Sequence, residues 1–198
     1  MAERLFNLAL TTPPINEPVT VDEFKDSAGI AHDDDNALIR RITRAARSYL
    51  EQMWDRSFIT TVYTYKVQAF ATTVALPRPP LISIDSIKYT DTNDAQQTVT
   101  SSVYTAVVDV EPGYVTLASG QLWPTDQRSV TRVPEVLIQY QAGYGADAAN
   151  VPEGIKQAIH LLAGHWYEHR EAVSTEPTRD VALSLQALAG QFNVMEFV

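Results

Sequence analysis

Between Phe58 and Ala142 the sequence changes period, and that switch limits the fold more than any other feature. Thr, Val, Tyr and Ile dominate this stretch, and turn residues separate short runs, which is the chemistry of strands. The runs predict strands at Phe58–Phe70, Ser83–Thr90, Val103–Val107, Tyr114–Leu117 and Val136–Gln141. Pro77-Arg78-Pro79-Pro80, Asp91-Thr92-Asn93-Asp94 and Glu111-Pro112-Gly113 are the breaks. On either side the spacing is helical. The order helix, helix, strands, helix, helix gives an α+β chain: a bundle of two N-terminal and two C-terminal helices with an antiparallel β-region inserted. The expected parts are an extended N-terminal arm at 1–19, a helical core from 20–57 and 150–190, the β-region at 58–142, and an apolar tail at 191–198.

Local signals bound the helices. Thr20-Val21-Asp22-Glu23 is a capping box, so a short helix should start there and stop near Gly29. Asp33, Asp34 and Asp35 should cap a second helix that reaches about Trp54, with their negative charge at its positive end. Ile39, Ile42, Ala46, Tyr49, Leu50 and Met53 then fall in one apolar stripe, and Arg40, Arg41, Arg44 and Arg47 on the opposite face. Pro152 suits the first turn of a third helix, in which Ile155, Ile159, Leu162 and Trp166 share a face. Glu171 to Pro177 reads as a loop, followed by a last helical stretch from Asp180 to Ala189 and a stop at Gly190.

The tail Gln191-Phe192-Asn193-Val194-Met195-Glu196-Phe197-Val198 carries five large apolar residues among its eight. Chain termini are ordinarily polar and frayed, so these residues imply a surface that covers them, and another chain is the natural source. With no cysteine among 198 residues, disulfides and thiolate metal sites are excluded. No apolar run approaches a membrane span, and Met-Ala-Glu-Arg-Leu has no signal-peptide pattern, so synthesis in the cytoplasm is expected. The net charge of −9 argues against tight binding of nucleic acid by the chain as a whole. It suits a surface past which DNA must slide without sticking.

Three motifs could carry chemistry. His165-Trp166-Tyr167-Glu168-His169 matches the inverted zinc-protease pattern, in which two histidines chelate Zn²⁺ and the glutamate activates water. A third ligand is needed, and the 29 residues after His169 offer only Glu171, Glu176, Asp180 and Glu196, none on a convincing ligand helix. The plainer expectation is that His169 packs at a helix–helix contact, with His165 at its edge and Glu168 paired to a base. Gly143-Tyr144-Gly145-Ala146-Asp147-Ala148 loosely fits a dinucleotide fingerprint, but the helix waits for Pro152, so a glycine turn is the simpler reading. The arginine stripe is either a solvated face or a contact surface, for a neighbouring copy or for DNA phosphates through Arg40, Arg44 and Arg47. The acidic remainder of the chain favours the neighbouring copy. There is no nucleophile elbow and no P-loop.

Several blocks together resemble one family. Pro18-Val19-Thr20-Val21-Asp22-Glu23-Phe24-Lys25 is similar to its opening, and Asp33 to Glu51 to its "D-D-x-x-L-I … A-A-R-x-x-x-E" helix. Leu76-Pro77-Arg78-Pro79-Pro80 resembles its turn before a strand like Ile82 to Tyr89. Tyr140-Gln141-Ala142-Gly143-Tyr144-Gly145, Val151 to Ile159 and His165-Trp166-Tyr167-Glu168-His169-Arg170-Glu171 complete the likeness, which runs from about Pro18 to Val173. These are the head–tail connector, or adaptor, proteins of tailed bacteriophages and of gene transfer agents.

The resemblance implies a non-enzymatic structural role in the neck of a virion, assembled in the host bacterial cytoplasm, with no cofactor. It implies a ring of about twelve copies beneath the portal protein, joined below by head-completion or tail proteins such as a stopper and a tail terminator. DNA would cross the lumen without specific binding. The tail departs from the family pattern, and the resemblance implies docking of this segment on the portal or on a neighbouring subunit. Interface residues expected on these grounds are Phe192, Val194, Met195, Phe197, Val198, Arg40, Arg44, Arg47, Trp166 and Arg170. The alternatives are a zinc-dependent hydrolase using His165, Glu168 and His169, and a DNA-binding module using the arginine stripe.

Overall fold

A computed structural model of the chain describes residues 7–128, 136–169, 179–190 and 192. Within them the protein is α+β, with four helices and antiparallel sheets. The described residues fall into two compact units, one of residues 7–14 with Thr60–Gly143 and one of Ile15–Ile59 with residues from Tyr144 onward.

In the helical unit, α1 spans Val21–Ala28 and α2 spans Asn36–Met53. After the β-unit come α3, Glu153–Glu168, and α4, Arg179–Ala189. The capping box forms as the sequence demands: the Glu23 amide donates to Thr20 Oγ1 at 3.2 Å and the Thr20 amide to Glu23 Oε2 at 2.8 Å. The hydrogen bond from the Thr20 backbone, more than anything else, holds the Glu23 carboxyl below its ordinary pKa. Gly29 ends α1 at φ 68°, a left-handed turn that glycine adopts without a side-chain clash. The start of α2 departs from expectation. Asp35 sits at the cap position but makes no capping bond, and its carboxylate accepts instead from the Tyr167 hydroxyl at 2.6 Å.

One apolar cluster holds this unit together. Phe24 of α1, Ile39, Ile42, Ala46 and Leu50 of α2, and Ile155, Ile159 and Leu162 of α3 are buried in it, with Leu185 and Ala189 of α4. Tyr49 and Met53 were expected in the stripe, yet they are 39% and 47% exposed. The buried arc of α2 is rotated away from them and toward Arg47 and Glu51, both of which are buried. An ion cluster, rather than apolar surface, closes that side.

The β-unit contains two sheets. Its strands are β1 (Leu8–Thr12), β2 (Thr61–Val67), β3 (Thr73–Ala75), β4 (Leu81–Thr90), β5 (Gln96–Thr98), β6 (Tyr104–Val107), β7 (Tyr114–Leu117) and β8 (Val136–Ala142). The larger sheet runs β1-β2-β8-β4-β5 and the smaller β3-β7-β6, with every pairing antiparallel. Alternation sets the faces: Val136, Ile138, Tyr140 and Ala142 of β8 are buried, opposite Tyr65 and Tyr63 of β2. In β4 the register shifts twice, between Leu81 and Ser83 and between Ile84 and Ser86. Each shift flips the parity, so Leu81, Ile84, Ile87 and Tyr89 all face the core although their spacing is irregular. The described part of the expected arm, residues 7–19, is divided between the two units. Leu8–Thr12 pairs with β2 as an edge strand, whereas Glu17 and Val19 belong to the helical unit.

Candidate interaction surfaces

The four arginines of α2 were expected to share one exposed face, and the structure divides them. Arg47 is 9% exposed. Its Nε donates to Glu17 Oε2 at 2.7 Å and its Nη1 to Glu51 Oε2 at 2.6 Å. Burial is the largest single influence on this guanidinium and opposes its charge, but the carboxylates of Glu51 and Glu17 outweigh it and raise its pKa. Glu51 Oε1 also accepts from the Phe58 amide at 2.9 Å and so secures the turn beyond α2. Arg44 shares Glu17 at 3.1 Å while its side chain stays largely exposed. Arg47 is therefore a structural residue of its own unit, because helical spacing fixes direction around the axis but not what lies there. Among the described residues, Arg40 and Arg41 are exposed and hold no ion-pair partner.

Outward of α3 lies a groove of about 710 Å³ between it and α1. Phe24 and His160 form part of its wall, their rings parallel at 6.0 Å. His160 Nδ1 is 3.0 Å from the Ser27 hydroxyl, and burial lowers its pKa despite the nearby Glu23 and Glu153. Glu23, Asp26, Glu153 and Glu168 make the groove acidic, and Lys156 is the only lysine or arginine among the described residues of its lining. Lys156 is held by Glu153 at 3.0 Å. At Gly164 an added Cβ would meet nothing within 4 Å, so the groove floor is open there. In the sequence Glu23 stands out only as a cap and Glu168 only within the histidine motif, and nothing there joins them into a groove. The available signal was the i, i+4 row Lys156, His160, Gly164 on the polar side of α3.

The histidine motif does not assemble a ligand set. α3 ends at Glu168, and His169 is its exposed C-cap, with Nδ1 2.9 Å from the His165 carbonyl oxygen. The two imidazoles lie with centroids 4.5 Å apart. Among the described residues no group of three or more His, Asp or Glu side chains is arranged to hold a metal ion. The expected helix–helix packing of His169 is corrected too, since a helix end leaves that side chain in solvent. The glycine motif is a turn. Asp147 and Asn150 cap the short 3-10 turn Ala148–Asn150, and at Gly145 (φ 152°) a Cβ would come within 2.6 Å of the Asn150 side chain. The Asn150 side chain thus occupies the space beside Gly145.

Of the tail, only Phe192 lies within the described residues. Its ring stacks on Trp54 at 5.8 Å and its carbonyl accepts from Arg56 Nη1 at 2.6 Å. Phe192 is half-buried in this seat on its own unit. Val194, Met195, Phe197, Val198 and Arg170 lie outside the described residues. Trp166 is half-buried, edge-on to Tyr49 at 6.0 Å, and among the described residues its indole N–H finds no acceptor.

Comparison with known proteins adds to this geometry. The model of a family described as head completion protein matches residues 17–178. No curated protein matches the chain. Among solved structures, a chain from the neck of an empty gene transfer agent particle, treated with sixfold symmetry, is 20% identical with a TM-score of 0.79. A chain from the native neck, treated with twelvefold symmetry, is 20% identical at 0.76, and one from the native virion 21% identical at 0.76. Each alignment covers 96% of this chain and 97% of the other. At such identities the likeness establishes the fold.

Proposed function

The chain belongs to the head completion protein family, and from that premise we propose that it is a structural head–tail connector in the neck of a tailed phage or gene transfer agent particle. The observation that carries this reading is the family match over residues 17–178, which includes residues of both units. Its fold, shared with neck chains treated with sixfold and twelvefold symmetry, supports a ring of about twelve copies beneath the portal. Such a ring requires heterologous contacts that close.

The work of this protein is then done by interfaces rather than by catalysis. The helices from both ends of the chain form the bundle, the β-region is its insertion, and stopper or tail-terminator proteins build on the assembled ring. A net charge of −9 keeps DNA in the lumen from adhering, because duplex affinity comes mostly from cations that neutralise phosphate. Val194, Met195, Phe197 and Val198 dock on the portal or on a neighbouring subunit, with the seat of Phe192 on Trp54 fixing where that segment leaves the core.

Particles produced without this chain test the role. Electron microscopy should show filled heads that lack tails and lack one ring at the portal vertex, and adding the purified protein should restore both. Tailed, infectious particles formed in its absence would overturn the proposal.

A further inference from the structure

We infer that the acidic groove between α1 and α3 receives the exposed arginine face of α2 from a second copy of this chain. The inference rests on the ring reading and deepens it by naming the two surfaces. α2 and α3 pack on each other and bury Ile39, Ile42, Ala46, Leu50, Ile155, Ile159 and Leu162 in one cluster. Helical periodicity then sends Arg40, Arg41 and Arg44 outward on the side of α2 away from that cluster, and sends Lys156, His160 and Gly164 outward on the far side of α3. The basic face and the groove thus lie on opposite sides of the same helical layer. Two different patches facing opposite ways give a head-to-tail contact, which can propagate from copy to copy. A self-complementary patch would stop at a dimer.

Charge selects the pairing. Arg40 and Arg41 are exposed cations without an ion-pair partner among the described residues, while Asp26 and Glu168 are exposed acids on the groove. The groove's own cation, Lys156, is already engaged by Glu153. The division of the α2 arginines fits this arrangement. Arg47 is consumed in holding Glu17 and Glu51, which fixes the helix, and the two arginines at its N-terminal half are left to meet a partner. An acidic chain repels its own copies unless opposite patches meet, so such a pairing would also set the register between copies.

Because the chain has no cysteine, the contact can be read by cross-linking without background from thiols of its own. Ala45→Cys on the exposed face of α2 and Gln157→Cys on the groove lining leave every charge intact. The double variant, treated with a short bis-maleimide at high protein concentration and in purified particles, should give a ladder of dimer, trimer and larger species. Either single variant should give no ladder beyond dimer. Adding Arg40→Glu and Arg41→Glu should reduce the ladder about tenfold or more, since like charges across an interface are strongly disfavoured. Further adding Asp26→Arg and Glu168→Arg should restore it, which separates lost contact from lost fold. The unswapped ladder should also fade at about 1 M salt, where screening acts over about 3 Å. Absence of a ladder in both settings, or a ladder indifferent to the charge swap, would overturn the inference. Labelling of the chain at the neck, read separately, distinguishes the failures: neck labelling without a ladder defeats the pairing alone, and a ladder without neck labelling defeats the connector role alone.

Discussion

The two units solve the same problem, closing a core with residues that are not purely apolar, by different chemistry. The β-unit uses tyrosines. Tyr63, Tyr65, Tyr89 and Tyr140 are all buried, and the Tyr140 hydroxyl donates to the Pro77 carbonyl at 2.7 Å while that of Tyr89 donates to Asp126 at 2.9 Å. The helical unit uses full charges, with Arg47 between Glu17 and Glu51 at the edge of its cluster. A tyrosine supplies large apolar area and asks for one hydrogen bond. A buried ion asks for compensation of its whole charge, and removal of a partner is correspondingly severe. The comparison teaches that the helical unit is the more brittle one to mutate near its surface, and that its remaining exposed charges are a separate population with a separate use.

The sharpest way to break this contrast is Glu51→Ala. It leaves Arg47 with one carboxylate and strands the Phe58 amide, and the expected loss is about 3–5 kcal/mol by denaturant titration. A loss near that of an exposed pair, under about 1 kcal/mol, would show that the cluster is solvated and the contrast false. Tyr140→Phe in the β-unit removes the hydroxyl that donates to the Pro77 carbonyl and should cost about 1–2 kcal/mol, leaving the fold unchanged by circular dichroism. An equal or larger loss than for Glu51→Ala would reverse the ranking of the two units. Thr20→Ala removes the side chain that caps α1 and should cost about 1 kcal/mol.

The smallest effect is seen with pH. Glu23 has a native pKa below its ordinary value, so its stabilising share is fully present above the ordinary glutamate range and is lost as pH falls through the lowered native value. Glu23→Gln should keep the cap geometry and flatten that part of the acid limb of a stability–pH curve. An unaltered acid limb would mean that the carboxylate is not held as the capping box implies.

Local features were the easiest to read before folding. The capping box at Thr20 and Glu23, the stop at Gly29 and the strand Tyr114–Leu117 depend on neighbours a few residues away, and the chain places them where the pattern says. Strands β1, β3 and β5 escaped notice because they are short or polar, as in Gln96–Thr98, and gain their hydrogen bonds from distant partners. The groove on α3 was equally hidden. A single helix carries no sign of which neighbour will flank it, and Phe24 and Asp26 reach the groove only because α1 packs beside α3.

The residue pattern by itself determined the four helices, the longer strands, most of the apolar face of each helix and the absence of cysteine chemistry, since these follow from periodicity and composition. The tertiary structure alone decided which of four equivalent-looking arginines would be buried. Position on a helix gives an angle about its axis, but only packing brings Glu17 from 30 residues before Arg47 to meet it, and that meeting turns one cation into structure while Arg40 and Arg41 stay exposed.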